Sequence, residues 1–302
     1  MAPSGSERVL VSGASGLIGS ALLPSLKSRG FQVVRLVRGP ASGEDQISWD
    51  PLKPIAPETV SGYRAIVHLS GESVVGRWTD SKQAKIRDSR VASTRNLAQS
   101  LAHVADRPRV LITASAIGYY GDRRDEVLRE ESSSGSGFLA EVCREWEAAA
   151  QPAADAGIRC AQIRTGVVLS AEGGALQKML PPFRLGVGGN LGSGRQWMSW
   201  IHIQDMVGAI NHILKTDLLY GAVNMVAPRP VTNAEFTKTL GAVLSRPTIF
   251  PVPEFVAKLA FGQMAEEVLL ASQRVEPTKL VSNGYPFQYS DLRKALESIL
   301  KK

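Results

Sequence analysis

The chain lacks most of the features that announce a function outright. It has two cysteines, Cys143 and Cys160, in 302 residues, which excludes a disulfide framework as its organising principle. Paired Cys/His spacing is absent, so no metal is expected. No stretch approaches the run of about 20 apolar residues that a membrane helix needs. The opening "MAPSGSER" lacks the charged-then-apolar order of a signal peptide. Lys and Arg are scattered, with no dense basic run and no alternation of basic with aromatic residues, which argues against nucleic acid. A cytoplasmic protein with no membrane and no nucleic-acid partner is expected. The net charge of +7 then reads as a bias toward anionic small molecules, such as a phosphate-bearing cofactor.

What the chain has is apolar residues, 44% of the total, enough for about two domains or one large α/β unit. Strand-like and helix-like segments alternate through the first half. "RVLVSGA", "FQVVRLVR", "QISWD", "AIVHLSG", "RVLITAS" and "RCAQIRTGVVL" read as strands. "GLIGSALLPSLKSRG", 79–104 and 138–156 read as helices. This order predicts a doubly wound parallel sheet of Rossmann type, covered by helices on both faces. After about residue 170 the regularity breaks. A helix and a long Gly-rich loop, "GGALQKMLPPFRLGVGGNLGSGRQW", precede the strand "MSWIH", the helix "IQDMVGAINHILKT" and the strand "GAVNMVA". Thr232 or Asn233 caps a further helix, and Pro-punctuated loops and short helices follow from 250. The expected division is a Rossmann domain over 1–170 with a returning segment near 199–226. A smaller α+β substrate lobe takes 171–198 and 227–302.

"VLVSGASGLIG" puts Gly13, Gly16 and Gly19 between the first strand and helix. The first permits a tight turn, the second lets backbone approach a pyrophosphate, and the third lets helix pack on strand. Helix N-terminal N–H groups would meet the phosphates, which makes Ser15, Leu17 and Ile18 part of the same candidate site. About 20 residues on, an NAD site usually carries a carboxylate for the ribose hydroxyls. Here the second strand ends with Val37 and Arg38, and a guanidinium suits a 2′-phosphate. NADP(H) is therefore expected over NAD(H). Arg35 either assists or is a surface residue. Leu69, Ser70 and Gly71, after the fourth strand, stand where the chain passes the adenosine side, and His68 reads as a buried strand residue.

"SGASGLIGSAL", "VHLSGE", "TASAIGYYG", "GFLAEVCREWE" and "RTGVVLS" together resemble the extended short-chain dehydrogenase/reductases, specifically their atypical NADP-linked, epimerase-like branch. The resemblance covers nearly the whole chain, including "AEEVLLASQRVEPTKLVSNGYPFQY", similar to that branch's small C-terminal domain. It implies that Arg90 reaches toward cofactor phosphate and that Val168 lies near the nicotinamide amide. Ordinary members use a Ser or Thr, a Tyr, and a Lys four residues after the Tyr. The Lys ammonium lowers the Tyr pKa from about 10 so that it transfers a proton near neutral pH. Matching Glu147 to the Glu common in that helix puts Leu139 at the Tyr position and Cys143 at the Lys position, so the standard pair is absent. Ser115 is the expected hydroxyl, within one or two residues, and Tyr119 and Tyr120 are the nearest substitutes for the Tyr. Glu141 is a second candidate; Cys143 is either a thiol near the nicotinamide or a buried structural residue. Arg195, Trp197 and Trp200 are expected to hold an anionic or sugar-like substrate, and His202 with Asp205 resembles a stretch that is structural in extended members.

Two functions follow from the sequence. One is an NADP(H)-dependent oxidoreductase or epimerase acting by hydride transfer on a small polar substrate. The other is an NADP(H)-binding regulatory or scaffold protein with little catalysis. A homodimer is left open.

Overall fold

The computed structural model describes residues 7–301. The first half runs β1 (Arg8–Ser12), α1 (Leu17–Ser28), β2 (Gln32–Val37), β3 (Gln46–Ser48), α2 (Pro57–Val60), β4 (Ala65–His68), α3 (Asp80–Ala102) and β5 (Val110–Ala116). A 3-10 turn at Ile117–Tyr120, helix α4 (Phe138–Ala148) and helix α5 (Gln151–Asp155) follow. One seven-stranded parallel sheet has the order Gly221–Met225, Arg159–Thr165, β5, β4, β1, β2, β3. The strand order reverses between β1 and β4. In such sheets ligands bind outside the strand C-termini at that crevice.

Strand periodicity explains why both faces are covered. Val9 and Val11 of β1, Ala65 and Val67 of β4, Val110 and Ile112 of β5, and Ala161 and Ile163 pack on one side with Leu22, Leu26, Met206 and Ile210. The residues between them, Leu10, Ile66, Leu111 and Cys160, pack on the other side with Leu97, Leu101 and Ala153. A third core joins Leu176, Leu180, Trp200, Phe236, Leu240 and Leu296, outside the sheet.

Three expectations are refined. The helix anticipated over 138–156 is interrupted, because Ala149 closes α4 and Pro152 sits in the first turn of α5, where a missing N–H costs nothing. "RCAQIRTGVVL" is not one strand. It leaves the sheet after Thr165, and Val167–Leu169 pairs instead with Trp200–His202. Thr232, not Asn233, is the N-cap, in a full capping box with Glu235. Among the described residues no helix is long and apolar enough to cross a membrane.

His202 caps the helix Ile203–Lys215, its Nδ1 accepting the Gln204 N–H at 3.0 Å. It stacks on Tyr289 at 3.9 Å, and burial lowers its pKa to about 4 despite the opposing pull of Asp205. Asp205 itself accepts from the Tyr285 hydroxyl and the Gln288 and Tyr289 N–H groups, tying the C-terminal loop to this helix.

Glu130 is buried with one carboxyl oxygen accepting from the Asn224 and Lys279 N–H groups and the other unpaired. Burial raises its pKa. A carboxyl whose folded pKa exceeds its unfolded value costs no stability below the unfolded value of 4.5 and loses stability as pH rises toward the folded value. Glu130→Gln keeps an acceptor and removes the charge. Thermal unfolding of the variant should show a higher Tm than wild type at pH 8, with the gain vanishing at pH 4.

Candidate dinucleotide cleft and reaction site

The crevice at the strand reversal is a cleft of about 350 Å³ lined by Gly13–Gly16, Arg35–Arg38, Trp49, Pro51, Leu69–Glu72 and Ser89. Gly13 has φ 68°, and a Cβ there would stand 2.6 Å from the Leu69 carbonyl carbon. A Cβ on Gly19 would overlap the Gly13 carbonyl oxygen. The loop is therefore closed around backbone that only glycine permits. Helix α1 begins at Gly16 with no side-chain cap and no acidic residue in its first turn. Its first N–H groups and positive dipole end are thus left for an anion. Leu17 and Ile18 lie outside the cleft lining: Leu17 packs on Gly174, and Ile18 on the sheet core. Val168 also packs on that core.

The two arginines of β2 separate. Arg35 is committed to Asp45 at 2.9 and 3.0 Å, whose carboxyl the hydrogen bond holds below its usual range. Arg38 is exposed in the cleft wall and, among the described residues, makes no hydrogen bond or ion pair. Arg90 projects from α3 against Gly71, where a Cβ would lie 3.3 Å from its Cζ. It faces the Trp146 ring at 5.1 Å and donates once, to the Ile86 carbonyl at 3.1 Å. Burial lowers its pKa, with Cys143 and Glu72 opposing. Glu72 is spent on Lys82 at 2.7 Å. A half-buried guanidinium with no ion pair among the described residues, set against Gly71 of the cleft lining, fits a dinucleotide phosphate.

His68 links this cleft to α3. Its ring bridges Ser12 Oγ at 2.6 Å and Ser93 Oγ at 3.2 Å, and burial lowers its pKa to about 4.

The candidate reaction site is at the C-terminus of β5. Its centre is a pair that the sequence reading missed. Arg164 Nε and Nη2 each donate to Glu147 at 2.8 Å, and Arg164 is 4% exposed. Burial alone would lower the arginine's pKa, but the Glu147 hydrogen bonds and charge hold it raised. Arg164 Nη1 also donates to the Tyr120 hydroxyl at 3.0 Å and to the Glu130 carbonyl.

This pair changes the roles expected of three residues. Ser115 is buried and donates to Glu147 at 2.7 Å, so its proton is not free to polarise a substrate oxygen. Tyr120 is fully buried, lies within hydrogen-bond reach of the Arg129 carbonyl and Asn224 Oδ1, and burial pushes its pKa up to about 12. Its hydroxyl belongs to the network and is not presented to a substrate. Tyr119 stays half-buried, with Arg164 Cζ 3.4 Å from its ring centroid, and its hydroxyl makes no hydrogen bond among the described residues.

Leu139 packs against Gly118, and Cys143 donates weakly to the Ala116 carbonyl at 3.8 Å. Burial pushes the Cys143 thiol up to about 12, which makes it a structural residue rather than a thiolate. Glu141 is exposed and pairs with Arg87. Of the substrate candidates, Trp200 is fully buried in the third core and donates to the Arg229 carbonyl, so it does not line a site. Trp197 is half-buried, bonded to Asp125 and covered by Arg274 at 4.5 Å; Arg195 is exposed nearby.

A Rossmann sheet with a glycine phosphate loop at its strand reversal defines a dinucleotide-binding protein of the epimerase/dehydrogenase kind. The chain belongs to the NAD dependent epimerase/dehydratase family, whose model matches residues 9–225; a domain of unknown function, DUF1731, matches 252–299. It is 41% identical to the epimerase family protein Mb2239 of Mycobacterium bovis, over 95% of this chain and 96% of that protein. It is 37% identical to the human epimerase family protein SDR39U1, over 97% and 99%. The crystal structure of human SDR39U1 with NADPH superposes with a TM-score of 0.89 at 36% identity, over 98% and 99% of the two chains. A nucleoside-diphosphate sugar epimerase from Corynebacterium glutamicum gives 0.80 at 40% identity, over 97% of this chain and 58% of that longer one.

Removing one member of a buried ion pair strands the other charge. Glu147→Gln should therefore cost on the order of 3 kcal/mol in denaturant unfolding. Glu147→Leu combined with Arg164→Met should cost less than the sum of the two single changes, because no charge is left behind.

Proposed function

We propose that the chain is an NADP(H)-dependent oxidoreductase or epimerase-like enzyme acting by hydride transfer on a small polar substrate. The observation that carries this reading is the cationic phosphate end: α1 without a side-chain cap, and Arg38 and Arg90 with no ion pair among the described residues. The NADPH in the human relative's structure supports it. We assign the cofactor to 1–170 with the returning 199–226, and the substrate to the lobe formed by 171–198 and 227–302.

Gly13, Ser15, Gly16 and the α1 N–H groups would hold the pyrophosphate, Arg38 the 2′-phosphate, and Leu69–Gly71 with Arg90 the inner side of the dinucleotide. When bound, the nicotinamide supplies the hydride donor or acceptor. Leu139 and Cys143 offer no proton beside it. Tyr119 is a half-buried hydroxyl at this end that makes no hydrogen bond among the described residues, and we assign it the proton of the reaction. Ser115, Glu147 and Arg164 hold the β5 end, α4 and the tyrosine pair in register.

A second reading has its own observation. With Leu139 and Cys143 in α4, and with Ser115 and Tyr120 hydrogen-bonded internally, the fold suits NADP(H) binding without turnover, as a regulatory or scaffold protein would use it.

Arg38→Asp should weaken NADPH by roughly tenfold or more and NADH by much less, read by fluorescence titration. Equal losses would remove Arg38 from the 2′-phosphate. NADPH consumption against a panel of carbonyl compounds and nucleotide sugars separates the two functions. Turnover that falls in Tyr119→Phe supports the enzyme. Tight NADPH binding with no turnover across the panel supports the binding protein.

A further inference from the structure

Helix α4 flanks the reaction end, yet it supplies no cap for its own N-terminus. Gly137 precedes it with φ 103°, and no side chain from the preceding residues reaches its first N–H groups. The cap comes from 129 residues away. Glu267 Oε1 accepts the Phe138 N–H at 3.0 Å, and Oε2 accepts the Leu139 N–H at 2.8 Å. Both bonds are charge-assisted and lie along the helix dipole.

The carboxylate is itself held. Gln263 donates to Glu267 at 2.7 Å, and Gln83 of α3 donates to Gln263 at 2.9 Å. Met264 is buried in a cluster with Trp78, Ile86, Phe138 and Val142, so the segment is packed as well as hydrogen-bonded. Gly137 is what admits it: a Cβ there would meet the Glu267 carboxylate at 3.0–3.1 Å, in a backbone conformation that other residues rarely adopt.

We propose that Glu267 is a positioning residue for the nicotinamide end of the cofactor site. It fixes the first turn of α4 at Phe138 and Leu139 and so sets how Leu139 meets Gly118. The reasoning is one of place. Leu139 is itself held by Glu267 through its N–H and packs on the turn that continues β5, where a bound nicotinamide would lie. Among the described residues no hydrogen bond or ion pair joins the phosphate loop, Arg38 or Arg90 to Glu267 or Gln263. The carboxylate from the C-terminal region thus acts on the α4 side of the cofactor site, and its link to α3 is through Gln83 in that helix's first turn. This rests on the NADP(H) reading above.

The test uses the full-length protein with Glu267→Ala, Glu267→Gln and Gly137→Ala, and two ligands: NADPH, and adenosine 2′,5′-bisphosphate, which lacks nicotinamide. Three readouts are taken: amide exchange at Phe138 and Leu139, the rise in NADPH emission on binding, and the affinity for each ligand. Glu267→Ala should exchange faster at both amides, lose most of the emission rise and bind NADPH roughly fivefold more weakly, the scale of a lost cap. Its affinity for the bisphosphate should stay within about twofold. Glu267→Gln keeps an acceptor oxygen and should recover part of the emission rise, which a general loss of fold would not do. Gly137→Ala should behave like Glu267→Ala.

Faster amide exchange with an unchanged emission rise and NADPH affinity would overturn the proposal, since the cap would then be purely structural. An equal loss for both ligands would overturn it too. Wild-type protein that binds neither ligand would instead defeat the cofactor reading beneath it.

Discussion

The C-terminal end of β5 depends on one buried ion pair. Arg164, at the end of an interior strand, and Glu147, in the last turns of α4, are joined by two hydrogen bonds of 2.8 Å in a nearly dry environment. Neither charge is tolerable there alone. Each remaining polar atom is used to fix something else: Ser115 at the end of β5, the Tyr120 hydroxyl, and the Glu130 carbonyl. The same guanidinium lies over the Tyr119 ring, its Cζ 3.4 Å from the centroid. Two strands, a helix and the 3-10 turn are thereby locked together, with the polar groups of this end turned inward.

The phosphate end is built on a different principle. Its cations and donors make few internal bonds among the described residues: α1 has no side-chain cap, Arg38 in the cleft wall makes no hydrogen bond or ion pair, and Arg90 against Gly71 donates to the Ile86 carbonyl. One end of the cleft is satisfied internally and the other awaits an anion. That asymmetry is why cofactor binding follows from the structure more directly than chemistry does.

How much the sequence revealed follows the same division. The glycine loop and the Arg38 position were legible because they are local: each residue's use depends on neighbours a few positions away and on the βαβ order. The unbroken apolar run Val9, Leu10, Val11 within the βαβ order was enough to foresee a sheet buried on both faces. The Arg164–Glu147 pair was not legible, because the partners are 17 residues apart on separate elements and nothing in either segment marks them as buried. Tyr120 and Ser115 looked like active-site groups by type and place; only the three-dimensional contacts show them occupied. Trp200 was expected to hold substrate, but strand pairing of Trp200–His202 with Val167–Leu169 turns it into the third core. The absence of Tyr and Lys from α4 was plain in the sequence. Glu267 at that helix's head was not, since it arrives from the C-terminal region.

A crystal structure with NADPH bound tests the account most directly. It should show Arg90 and the α1 N–H groups on phosphate oxygens, and the nicotinamide C4 facing Leu139 with no hydroxyl other than Tyr119 within about 4 Å, the range of a near-attack contact. A Tyr120 or Ser115 hydroxyl withdrawn from the Arg164–Glu147 network and turned onto the nicotinamide would contradict it.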